Sequence, residues 1–130
     1  MSYQPNYSFH HVHVYCSNLA TSEEWFVDKL GAEVIQRRDP KPVPAIDISL
    51  GGASLFLREE LPEENLEAGG SPRFGTDHIG LMVEDLDATA AELKKRGVYF
   101  EVEPYLIRPG LRIAFIQGPD QVRIELLQKV

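Results

Sequence analysis

The chain of 130 residues has a formal net charge of −7, with 43% hydrophobic and 25% charged residues. This length suits one compact unit, the composition is that of a globular chain rather than a disordered one, and the acidic excess disfavours a nucleic-acid phosphate backbone as partner. No apolar run is long enough to cross a bilayer, the amino terminus lacks the basic segment and apolar core of a secretion signal, and Cys16 stands alone, so a cytoplasmic location without disulfides is expected.

Phe9 to Cys16 alternates as a strand, with His11, His13 and Tyr15 on one face and Val12, Val14 and Cys16 on the other. Thr21 followed by Glu24 matches a capping box, Trp25, Phe26 and Leu30 give an apolar stripe, and Gly31 supplies a left-handed stop. These signals predict one short amphipathic helix. A strand from Glu33 to Asp39 comes next, then prolines at 40, 42 and 44. Ala45 to Leu50 and Ala53 to Arg58 follow as strands joined by Gly51-Gly52, a hairpin signal because both glycines tolerate positive φ. Ile46, Ile48 and Leu50 lie on one side, Asp47 and Ser49 on the other. Residues 59–75 are acidic and carry the breakers of a linker.

Thr76 to Glu84 alternates again, with Ile79, Leu81 and Val83 opposite His78, Gly80 and Met82. Asp85 suits the cap of a helix in which Leu86, Ala90 and Leu93 recur up to Gly97. Tyr99 to Glu103, Leu111 to Gln117 and Val122 to Gln128 supply three more strands. In the last of them Val122, Ile124 and Leu126 form the apolar face, which turns Arg123, Glu125 and Leu127 the opposite way.

The second half repeats the first. A shift of 67 residues superposes His11 on His78, Asn18 on Asp85 and Leu19 on Leu86. Two like modules facing each other would place two imidazoles at equivalent positions, and Glu125 would supply a carboxylate from the final strand. Two imidazoles and one carboxylate suit Fe, Mn, Ni, Co or Zn as a divalent ion and leave coordination positions for water or substrate. The competing structural reading pairs the histidines with backbone and Glu125 with Arg112 or Arg123. His13 shares the face of His11 and suits a substrate contact or general base. Tyr15, Asp47, Ser49, Phe56, Met82 and Arg123 fall on the same face as pocket lining, whereas Trp25 belongs to the helix stripe.

These features resemble the vicinal oxygen chelate superfamily, the glyoxalase, bleomycin resistance and extradiol dioxygenase group. The resemblance is carried by His11 through Asn18-Leu19 with Leu30-Gly31, by Asp77-His78-Ile79-Gly80 through Asp85-Leu86, and by Ile113 through Asp120 followed by Arg123-Ile-Glu125-Leu-Leu. It implies an α+β fold of two βαβββ modules forming a cupped mixed sheet: one domain over 1–130, with module one at about 9–58, an acidic linker at about 59–75 and module two at about 76–128. It further implies metal ligation by His11, His78 and Glu125, a small-molecule substrate and, by analogy, a homodimer with neither nucleic-acid nor membrane partners. The family's fourth ligand position falls at Phe56, which can neither bind a metal nor take a proton. That departure favours the three-ligand site of dioxygenase relatives, whereas the short chain, the single paired-module plan and the carboxyl-terminal strand resemble the small glyoxalase-type lyases; a glyoxalase-type lyase or isomerase is expected first, with His13, Tyr15, Asp47 and Arg123 as candidates for proton transfer or orientation. An extradiol-type Fe(II) dioxygenase ranks second and a metal-free drug-binding protein third.

Overall fold

A computed structural model describes residues 3–38, 43–67 and 72–130. Residues 39–42, with Asp39, Pro40 and Pro42, and the linker's 68–71 stretch lie outside the described residues. Among the described residues the first module consists of β1 (Val12–Cys16), α1 (Leu19–Leu30), β2 (Glu33–Arg38), β3 (Ala45–Leu50) and β4 (Ala53–Glu59). The second consists of β5 (Ile79–Met82), α2 (Leu86–Lys95), β6 (Tyr99–Arg108), β7 (Leu111–Gln117) and β8 (Arg123–Lys129). Each module is a four-stranded mixed sheet, in the order β1-β4-β3-β2 and β5-β8-β7-β6. The first strand of each runs parallel to the last and occupies an edge. The α+β architecture of two βαβββ modules is thus as expected.

Local chemistry explains the element ends, with one correction. Helix α1 begins at Leu19 and is capped by Asn18, whose side chain accepts from the Thr21 amide at 2.9 Å. Thr21 therefore lies inside the first turn and no Thr21–Glu24 box forms. An asparagine in extended backbone is an equally good acceptor for an orphan N–H, and it stands where its repeat counterpart Asp85 caps α2 through the Ala88 amide. Gly31 ends α1 at φ 74°, and the Gly51-Gly52 hairpin takes φ 58° and 86°, as both turns require. Strand β1 begins at Val12 rather than Phe9, and β5 at Ile79 rather than Thr76, so His11 and His78 each sit one residue ahead of their strand. Strand β6 continues to Arg108, well past the expected Glu103.

Burial follows the alternation. Ile46, Ile48, Leu55 and Leu57 of the first sheet join Ile116, Ile124 and Leu126 of the second in one core, with Phe26 from α1 and Leu86 and Leu93 from α2. The modules also meet at their ends. The Ser17 amide donates to Asp120 Oδ2 at 2.9 Å, and Arg96 donates to the Lys29 carbonyl at 3.0 Å. Asp120 makes the first contact from a backbone with φ 56°, a left-handed conformation that short polar side chains tolerate. No described helix is long and apolar enough to cross a membrane.

Candidate functional site

The helix-facing side of each sheet is committed to the core, so chemistry is left to the opposite face. On the second sheet, register places Phe115 of β7, Glu125 of β8 and Gly80 of β5 side by side. Glycine keeps the space beside the carboxylate open: a Cβ at Gly80 would lie 3.9 Å from Glu125 Oε1. Into that space comes His78, whose Nε2 lies 3.2 Å from Glu125 Oε1. Its ring stands edge-on to Phe115 at 5.1 Å. Nδ1, the other ring nitrogen, is 2.9 Å from Asp77 Oδ2. Asp77 also pairs with Arg123, and Arg123 reaches Glu101 at 3.0 Å.

The result is a chain of close polar contacts, Glu101–Arg123–Asp77–His78–Glu125. The hydrogen bond from His78, followed by the field of Arg123, holds the Asp77 carboxyl below its ordinary range. Arg123 is raised chiefly by its bond to Glu101. A neutral imidazole carries one N–H. With that proton directed at Asp77, Nε2 turns its lone pair toward Glu125, so that the ring and the carboxylate form a pair of donors to a shared cation.

On the first sheet the equivalent row reads His13 of β1, Phe56 of β4 and Asp47 of β3. Phe56 takes the place that Glu125 holds in the second. His11 stacks on its ring with centroids 3.9 Å apart and planes 9° from parallel. The Arg38 guanidinium lies over the same ring at 4.8 Å from its centroid. Arg38 in turn donates to Asp47 Oδ2 through Nε at 2.9 Å and Nη2 at 2.6 Å. Asp47 is buried, and its Oδ1 has no hydrogen-bond partner.

Between β1 and the start of the second module opens a cavity of about 470 Å³ whose lining includes His13, Tyr15, Asp77, His78, Asp120 and Arg123. Partial burial, then the charges of Arg58 and His11, lower the His13 pKa against an opposing pull from Glu64. The Tyr15 hydroxyl accepts from Arg58 Nη2 at 2.9 Å and lies 3.4 Å from a Glu64 oxygen.

Of the three expected ligands, His78 and Glu125 therefore converge, while His11 stands apart with Phe56. No three His, Cys, Asp or Glu side chains gather at one point among the described residues. His13, Tyr15 and Arg123 share the cavity with His78, whereas Asp47 lies beneath Arg38. Ser49 is half-buried opposite Ser54, and Met82 is exposed. Arg112 pairs with Asp87, not with Glu125. Sequence reasoning passed over Asp77 and Arg38. Asp77, directly before His78, was legible as a partner for that ring; Arg38 was not, because a long side chain at a strand end reaches across the sheet in a way that alternation does not describe.

Residues 8–126 match the family model described as the Glyoxalase/Bleomycin resistance protein/Dioxygenase superfamily. The chain is 33% identical over 129 residues to the uncharacterized protein YwkD of Bacillus subtilis, covering 94% of this chain and 97% of that one. It is 27% identical to a probable lactoylglutathione lyase of Synechocystis over 128 residues, 91% and 92% of the two chains. The crystal structure of a glyoxalase family protein from Enterococcus faecalis superposes with a TM-score of 0.79 at 25% identity, covering 93% of this chain and 97% of the other.

Proposed function

The chain belongs to the Glyoxalase/Bleomycin resistance protein/Dioxygenase superfamily, and from that premise we propose that it is a divalent-metal enzyme, a glyoxalase-type lyase or isomerase of a small oxygenated substrate. The observation that carries this reading is the His78–Glu125 pair, 3.2 Å apart, with Asp77 behind the other ring nitrogen. A carboxylate on the far nitrogen of a ligating histidine fixes its tautomer and orientation, the usual support behind a metal-binding imidazole. Two donors do not complete a site that needs three. We assign the third to His11 of a second copy, placing the centre between protomers of a homodimer. Strands β1 and β5, which follow the two histidines, both lie at sheet edges, where one copy can continue the sheet of another.

When bound, the ion supplies Lewis-acid stabilisation of negative charge on substrate oxygen. The chain's own residues do the rest. His13, facing the cavity, accepts and returns the proton that a glutamate in place of Phe56 would have handled. Tyr15, held by Arg58 and Glu64, and Arg123, held by Asp77 and Glu101, orient the substrate. Ser49 and Met82 line the approach, and Asp47 acts by holding Arg38.

Phe56 favours a second reading. Its ring occupies the fourth ligand position, and a three-ligand site with an open face suits an extradiol-type Fe(II) dioxygenase. The two readings separate when the metal-loaded protein is offered a hemithioacetal and, with Fe(II) and oxygen, a catechol. Isomerisation of the hemithioacetal supports the lyase, and oxygen uptake coupled to catechol loss defeats it. A protein that binds no metal after repletion defeats both and favours a metal-free drug binder.

A further inference from the structure

We propose that Arg38 selects the substrate: its guanidinium, held over Phe56 by Asp47, receives a carboxylate on the molecule that the site binds. This deepens the functional reading above and rests on it for the location of the site. Of the five N–H donors of a guanidinium, two face Asp47 Oδ2, which leaves the Nη1 pair and one on Nη2. These are the donors that grip a carboxylate end-on through two parallel hydrogen bonds. The side chain is 45% exposed, so they reach solvent, while Asp47 beneath it is 8% exposed. Asp47 offsets part of the guanidinium's charge; the remainder is directional.

Other arginines of this region are differently engaged. Arg58 bonds Tyr15, Glu64 and the Glu59 carbonyl, Arg123 bridges Asp77 and Glu101 on the second sheet, and Arg37 turns away to Glu23. Arg38 alone of these four combines a buried anchor with outward donors. The anchor itself is poor for stability, because Asp47 Oδ1 is buried without a donor. A half-satisfied buried carboxylate is disfavoured relative to an apolar residue, so its effect lies in fixing the guanidinium. Phe56 gives that guanidinium a flat seat and itself stacks with His11, which sets Arg38 one ring away from a proposed metal ligand. In a chain of net charge −7, which repels anions over much of its surface, such a fork is the means of drawing one in.

The test uses full-length protein, both Mn(II)-loaded and metal-stripped, titrated by calorimetry with malate and with lactate, which shares the hydroxy-acid end but lacks the second carboxylate. Wild-type protein is expected to prefer malate by about tenfold or more. In Arg38→Gln the preference falls to within about twofold, and Arg38→Lys, which keeps the charge without the fork, lies between. Metal content, measured separately, is unchanged in both variants. A malate preference that survives in Arg38→Gln, or is absent from the wild type in both forms, overturns the proposal. Failure of all chains to bind Mn(II) counts against the metal reading instead, and the stripped-protein titrations still decide the role of Arg38.

Discussion

Replacing Asp77 by asparagine tests whether the carboxylate behind His78 serves a metal ligand. Asp77 Oδ2 accepts from His78 Nδ1 at 2.9 Å and also pairs with Arg123, so one oxygen region serves two cations or donors. An asparagine can place its carbonyl oxygen where Oδ2 stands and still accept from both, but only as a neutral acceptor: the bonds to His78 and Arg123 lose their charge-assisted strength, and the imidazole loses the anion that raises its basicity as a ligand. Loss of such an outer partner lowers metal affinity by roughly 10- to 100-fold. Asp77 is 37% exposed at the side chain, so solvent screens its charge and the effect belongs near the tenfold end. The assay is Mn(II) affinity by chelator competition at fixed pH. Glu101→Gln is the control: it loosens Arg123 without touching His78, and a change below about threefold is expected. Equal affinities for wild type and Asp77→Asn, or equal losses in both variants, would refute the orienting role.

Three further outcomes follow from the geometry. Asn18→Ala should cost about 1 kcal/mol in chemical denaturation, whereas Glu24→Ala should cost a few tenths, because the cap of α1 is Asn18 and no capping box exists. Ile48→Ala, at a fully buried position of β3, should cost about 2–5 kcal/mol by the same measurement, and a smaller loss would contradict a close-packed core. Burial raises the Cys16 thiol, so folding favours its protonated form. Its contribution is complete below the unfolded-state thiol pKa and is lost as pH rises through the folded one. Denaturation midpoints between pH 7 and 10 should therefore decline less in Cys16→Ala than in wild type, and parallel profiles would contradict the burial.

Much of the fold is legible in the sequence. The 67-residue repeat, the Gly51-Gly52 turn and the alternation of Ile46, Ile48, Ile124 and Leu126 rest on local periodicity and backbone freedom, which sequence carries directly. The cap of α1 was misread because Thr21-Glu24 and Asn18 offer competing acceptors three residues apart, and only the chain's entry direction decides between them. The site was half legible. Alternation and the repeat brought His78 to Glu125, but whether His11 meets them depends on how modules dock, which no local pattern encodes. Arg38, and with it the part of Asp47 as its anchor, escaped for a similar reason, since their pairing joins β2 to β3 across a sheet register containing a bulge between Val34 and Gln36.

Metal content of mixed variants bears most directly on a centre shared between two copies. His11→Ala and His78→Ala proteins should each bind no stoichiometric Mn(II). After equimolar mixing and reassortment, half the dimers are mixed and each keeps one intact site of two, so metal should return to about a quarter of the wild-type amount per chain. Full metal in His11→Ala alone, or none after mixing, would contradict the shared centre.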